Sequence, residues 1–233
     1  MPLAAVIFDF DGVLADSEPV HLAVFQTVLD SVGITLTPEE YYEKYLGYSD
    51  RDAFIQVFAD RGVTMDAAGL EALLETKKGL FPEALGDHAL YPGAGACIAR
   101  VAARVPVAIA SGALRHEIEL ILDRSGQRAH FPVIVAAGET PRSKPSPDPY
   151  ARAFELLKAS GALPSTASPA DVVAIEDSEW GLQSARGAGL RTMAVLTSYG
   201  RDSLPSAETH LASIADVTIE HLEALVATER ASA

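Results

Sequence analysis

The stretch Val6-Ile7-Phe8-Asp9-Phe10-Asp11-Gly12-Val13-Leu14-Ala15-Asp16-Ser17-Glu18 decides how this chain of 233 residues is read. Ala4 to Phe8 is short, apolar and rich in β-branched and aromatic residues, the composition of a strand buried on both faces of a parallel sheet. Asp9 and Asp11 follow where that strand ends, at the edge where open α/β sheets bind ligands. A two-residue period sets both carboxylates on one face, and Gly12 allows a sharp turn behind them. Two carboxylates about 4 Å apart repel by about 4 kcal/mol at an effective dielectric constant of 20, so the pair calls for a cation or a proton. Taken alone, the stretch is equally an Asp-Gly turn after a strand.

Working outward, residues 19–86 show helical spacing only. Leu22, Phe25, Leu29 and Val32 form one stripe that Gly33 stops, and Thr37-Pro38-Glu39-Glu40 is a capping box opening a helix that Gly47 ends. Ser49-Asp50-Arg51-Asp52 opens a third helix with Phe54, Val57 and Phe58 inward. A fourth runs from about Asp66 to Ala84 on Leu70, Leu73, Leu74 and Phe81. Lys77 falls on that apolar stripe, so its ammonium needs an exit to water or a partner. Snorkelling to the surface is the plainer reading; contact with an anionic substrate, by Lys77 or its neighbour Lys78, is the functional one.

From Leu90 the pattern becomes βα alternation. Val105–Ala110, Val133–Ala137, Val172–Ile175 and Thr192–Leu196 are the expected strands, with Val217–Ile219 a weaker one. Helices are expected at about 94–104, 114–125, 147–160 and 178–187. The fold class is therefore α/β, a doubly wound parallel sheet carrying an inserted all-α domain: 1–15 with 90–233 as the sheet domain, and 16–89 as the helical one. Three more strand ends carry reactive side chains: Ser111-Gly112, Lys144-Pro145 and Glu176-Asp177-Ser178. Singly, Ser111 can be an N-cap, Lys144 a solvated loop charge, and Asp177 or Ser178 a helix cap. In a parallel sheet they share one edge with Asp9 and Asp11. Carboxylates, a hydroxyl and an ammonium converging there describe a site for Mg²⁺ and a phosphoryl group.

The series Asp9-Phe10-Asp11-Gly12, Ser111-Gly112, Lys144-Pro145-Ser146-Pro147-Asp148-Pro149 and Glu176-Asp177-Ser178, followed by Gly181 and Ala188-Gly189, resembles the four motifs of the haloacid dehalogenase superfamily. The helical insert ahead of Tyr91-Pro92-Gly93 is similar to the α-helical cap of its β-phosphoglucomutase-like and phosphoglycolate-phosphatase-like branch. The resemblance implies Asp9 as the nucleophile that forms an aspartyl phosphate and Asp11 as general acid/base. It implies Ser111, Gly112 and Lys144 on the phosphoryl oxygens. The metal set it implies is Asp9, Asp11 through its carbonyl, Asp177 and Glu176, with Glu176 binding or orienting metal waters. In the cap the substrate candidates are Tyr48, Arg51 and His21, in stretches that the resemblance marks, and Lys77, from its place on the apolar stripe. The expected activity is Mg²⁺-dependent hydrolysis of a small phosphate monoester, such as a sugar phosphate. A phosphomutase is the alternative, weakened because Asp50 stands where β-phosphoglucomutase carries a phosphate-binding arginine. A 2-haloacid dehalogenase, a phosphonatase and a catalytically silent binding protein rank below it.

Composition narrows the partners. The net charge of −14 argues against a general nucleic-acid or anionic-membrane surface, and residues 16–88 alone carry 14 acids and 5 bases. One cysteine, Cys97, excludes a disulfide framework and a cysteine-based zinc site. No targeting segment is read, so a cytoplasmic monomer acting on a small phosphorylated metabolite is the expectation.

Overall fold

The computed structural model describes residues 3–46, 48–86 and 90–227, which divide into two compact units: Ser17–Gly86, and the described residues on either side of it. Asp16 belongs with the sheet. Gly47, expected to end a helix, lies outside the described residues, as do 87–89 and 228–233, where both expected domains reach.

The chain opens with β1 (Ala5–Phe8), whose four side chains are all buried. The helical unit follows, with α1 (Glu18–Asp30), α2 (Pro38–Lys44), α3 (Asp50–Asp60) and α4 (Ala67–Ala84). The chain then alternates: α5 (Ala94–Ala102), β2 (Val107–Ala110), α6 (Arg115–Arg124), β3 (Val133–Val135), α7 (Asp148–Ala159) and β4 (Val172–Glu176). Next come α8 (Glu179–Gly187), β5 (Arg191–Val195), β6 (Thr209–Leu211) and α9 (Ile219–Ala227). The strands form one parallel sheet in the order β3-β2-β1-β4-β5-β6. Ile7 registers with Ala108 on one side and Ala174 on the other, so β1 is central. From β1 the chain builds outward to β3 and then returns to the other flank of β1 as β4. The topological switch point therefore lies between β1 and β4. Ala5 and Ile7 join Tyr150, Ala153 and Leu157 of α7 in one core, which explains why these strands read as continuous apolar runs.

One strand expectation is corrected. Val217–Ile219 is not a strand: Val217 follows a short 3₁₀ turn, Ile214–Asp216, and Ile219 opens α9. The sixth strand is Thr209–Leu211, a three-residue edge strand half-buried throughout. Its mixed sequence carries neither an apolar run nor a clean alternation, so periodicity has nothing to register.

In the helical unit the caps follow the sequence. Thr37 Oγ1 accepts from the Glu40 amide at 3.1 Å, Ser49 Oγ from the Asp52 amide at 3.1 Å, and Asp66 Oδ1 from the Gly69 amide at 2.7 Å. The capping box at Thr37 is not reciprocal, because the Glu40 carboxylate is taken by Arg61 at 2.6 Å and 2.8 Å. Leu22, Phe25 and Leu29 are buried with Phe54 and Leu73, whereas Val32 lies beyond α1 and is exposed.

Lys77 departs most from its plainer reading. Its side chain is 1% exposed and does not snorkel. Its ammonium donates to Asp50 Oδ1 at 2.6 Å and to His21 Nδ1 at 2.9 Å, and stands 4.7 Å from the centroid of the Phe25 ring. A lysine can only donate, so His21 presents its Nδ1 lone pair and carries its proton on Nε2. Burial, then the nearby Lys77 charge, push the His21 pKa down to about 4, which keeps the ring neutral. Alanine and methionine at this position both remove the charge from the pair, but only alanine also leaves a cavity where the lysine stem packs. Lys77→Ala should therefore lower unfolding free energy by about 2–4 kcal/mol through cavity and lost pairing. Lys77→Met should stay within about 1 kcal/mol of the parent, because the partly exposed Asp50 can turn to water. Urea unfolding of both variants measures the difference.

Candidate active site

β1 delivers Asp9 and β4 delivers Glu176 and Asp177 to the same side of the switch point, because parallel neighbours end on one edge. All three carboxylates are buried, and one oxygen from each lies within 4.8 Å of the others. Lys144, from the β3–α7 loop, closes the group. Its ammonium donates to Asp9 Oδ1 at 2.7 Å and to Glu176 Oε1 at 2.6 Å. The Lys144–Pro145 peptide is cis.

Ser111, directly after β2, is buried and stands ahead of α6 rather than capping it; the N-cap position belongs to Leu114. Ser111 Oγ accepts from the Ala113 amide at 3.1 Å, which leaves its own O–H to donate. A Cβ added to Gly112 would meet no atom within 4 Å, so the backbone there is open to a ligand. Ser178 caps α8, accepting from the Gly181 amide at 3.2 Å.

β1 ends at Phe8, and Asp11 lies three residues beyond it. Asp11 is half-buried, and its side chain is not one of the three clustered carboxylates. The strongest like charge on Asp9 is that of Glu176, with a smaller push from Asp11.

Two glycines make room for this arrangement. Gly12 has φ +77°, and a Cβ there would run into the Asp177 carboxylate. A Cβ on Gly181 would run into the carboxylate of Glu176. Glu176 is fully buried and engaged at both oxygens: Oε1 by Lys144 and by Tyr150 Oη at 2.7 Å, Oε2 by Ser178 Oγ at 3.0 Å and more loosely by the Asp177 and Ser178 amides.

Tyr150, Thr197 and Ser198 were not singled out from the sequence. Thr197 Oγ1 donates to the Gly12 carbonyl and Ser198 Oγ to Asp177 Oδ2. The strand-edge rule applied to β5 would have found this hydroxyl pair. Tyr150 carries no such signal, since it reads as one more apolar position of α7.

The helical-unit candidates do not form one group. His21 and Lys77 meet with Asp50, as described above. Tyr48 is 50% exposed, and Arg51 is turned outward to Glu71 at 2.6 Å. Lys78 is exposed beside Glu75.

Residues 3–189 match the haloacid dehalogenase-like hydrolases. The chain belongs to this family. The CbbY protein of Rhodobacter capsulatus is 32% identical over 209 residues, 86% of this chain and 88% of its own length. A phosphorylated carbohydrates phosphatase of Thermotoga maritima is 28% identical over 197 residues, 81% of this chain and 82% of its own. The crystal structure of a mutant CbbY from Rhodobacter sphaeroides in complex with xylulose-(1,5)bisphosphate aligns with a TM-score of 0.77 at 28% identity, covering 93% of this chain and 96% of that one. Among the described residues, no helix of this haloacid dehalogenase-like hydrolase is long and apolar enough to cross a membrane.

The electrostatics of the site are those of three carboxylates facing the single ammonium of Lys144, two positive charges short of balance. Burial, then the charge of Glu176, push the Asp9 pKa up to about 7 despite Lys144. Burial, then the charge of Asp9, push Asp177 up to about 8, with Ser198 pulling it back. Burial works against the Lys144 charge, but Asp9 and Glu176 outweigh it and hold the ammonium above the usual lysine range. Oxygen donors alone, clustered and short of a counterion, fit a hard divalent cation.

Carboxylates whose folded pKa is raised favour the native state most below about pH 4, and lose that advantage as pH rises through 7 to 8. The cation-free protein should therefore lose thermal stability between pH 5 and 8. Mg²⁺ at about a hundredfold its dissociation constant should raise the melting temperature by about 5–10 °C at pH 8. It should raise it clearly less at pH 5.5, where protons must first be displaced. Calorimetry with and without chelator measures both slopes.

Proposed function

We propose that this hydrolase is a Mg²⁺-dependent phosphatase that cleaves a small phosphate monoester of the sugar-phosphate class through an aspartyl phosphate on Asp9. The observation that carries the reading is Asp9 itself, a buried carboxylate paired to Lys144 beside Asp177 at the β1–β4 switch point. The substrate class follows from the phosphorylated carbohydrates phosphatase and the xylulose-(1,5)bisphosphate complex among the similar proteins.

In this reading Asp9 Oδ attacks phosphorus, and Asp11 protonates the departing ester oxygen. Asp11 then removes a proton from the water that attacks the aspartyl phosphate, which returns the Asp9 carboxylate and releases phosphate. Ser111 donates a hydrogen bond from its hydroxyl to a phosphoryl oxygen, and Gly112 leaves room for that oxygen to approach the backbone. Lys144 offsets negative charge on the transferring group. Asp9 and Asp177, with the Asp11 carbonyl, would hold the metal, and Ser198, which donates to Asp177 Oδ2, orients that carboxylate. Mg²⁺ bound there would supply Lewis-acid stabilisation of the phosphoryl oxygens. Glu176, whose oxygens are both engaged within the protein, holds Lys144 and the turn that carries Asp177.

A phosphate-release screen over sugar phosphates, with and without Mg²⁺, tests the reading. Asp9→Asn should lose more than about 10³-fold in turnover, because nucleophile and metal ligand are damaged together. Near-parental turnover in that variant, or activity indifferent to excess chelator, would sink the assignment. Incubation with β-glucose 1-phosphate and a bisphosphate primer separates hydrolysis from transfer. Free phosphate is expected, while rapid glucose 6-phosphate with little phosphate would instead make the protein a mutase.

A further inference from the structure

We propose that Tyr150 is a positioning residue for the reaction, setting the place of the Lys144 ammonium through Glu176; the inference rests on the phosphatase reading above. Tyr150 lies in the first turn of α7 and is 0% exposed, packed with Ala5, Ile7, Ala108 and Val135. Its ring alone satisfies that packing. Its hydroxyl does something else, donating at 2.7 Å to Glu176 Oε1, the same oxygen that receives Lys144 at 2.6 Å. The Lys144 ammonium also stands 5.1 Å from the Tyr150 ring centroid, and its other bond runs to Asp9 Oδ1.

One carboxylate oxygen is thus divided between a phenol and an ammonium, in a place where burial keeps the phenol protonated. A neutral donor on Oε1 draws off part of its charge. The ammonium is then held by Glu176 without being captured by it, and stays shared with Asp9. Without the hydroxyl, Glu176 Oε1 is left to Lys144 alone. Nζ should then move toward Glu176 and away from Asp9 and the phosphoryl group it must stabilise. That stabilisation grows as charge develops in the transition state, so its loss belongs to kcat more than to KM.

The test compares wild type with Tyr150→Phe by steady-state phosphate release from the sugar-phosphate panel in Mg²⁺, and by the nitrogen NMR signal of the Lys144 ammonium. The expected result is a fall in kcat of roughly tenfold, the scale of one hydrogen bond, with KM changed less than about twofold and the Lys144 signal displaced. A parental kcat overturns the proposal. A lowered kcat with an unmoved Lys144 signal also overturns it, because the tyrosine then acts on something other than the lysine. If wild-type protein releases phosphate from no ester, the phosphatase reading falls separately. The ammonium signal then decides alone: displacement in Tyr150→Phe supports the positioning role, and an unmoved signal overturns it.

Discussion

The structure depends on holding three buried carboxylates close together at the point where the sheet changes direction. Within the 4.8 Å that bounds Asp9, Glu176 and Asp177, each pair of charges repels by at least about 3.5 kcal/mol at an effective dielectric constant of about 20. Lys144 bridges two of them directly, and the oxygen-only donor set leaves room for a divalent cation to answer the rest. A site of this kind is expensive to the fold, and it concentrates oxygen donors and one ammonium at the edge where open α/β sheets bind ligands.

Everything around the cluster is arranged to keep those charges in place. The strand order puts the ends of β1 and β4 side by side, and the β3–α7 loop reaches them with Lys144. Gly12 and Gly181 leave the volume that the Asp177 and Glu176 carboxylates fill. Thr197 and Ser198, after β5, tie the Gly12 carbonyl and Asp177. Substituting either glycine would press directly on a carboxylate, so these positions are set by the site as much as by the backbone.

The helical unit repeats the same physical solution with different residues. Lys77 is as buried as any core leucine, and an ammonium in that position persists because Asp50 answers its charge and His21 offers a lone pair. The carboxylate that replaces an expected arginine at residue 50 is therefore engaged by a cation of its own unit.

The sequence by itself determined the sheet, its handful of strand ends and the residues they carry. Buried parallel strands must be continuous apolar runs, and Asp9, Ser111, Lys144, Glu176 and Asp177 stand directly beyond such runs or in the loop that follows one. It could not reveal β6, because three half-buried edge residues leave no periodic trace. It also misjudged Lys77, because spacing along one element says nothing about a partner 27 residues away. The contact of Tyr150, and the particular atoms that Thr197 and Ser198 meet, belonged to the tertiary structure alone. Each acts through one hydroxyl brought to the site from another element, and such a meeting is decided by packing rather than by any local pattern in the chain.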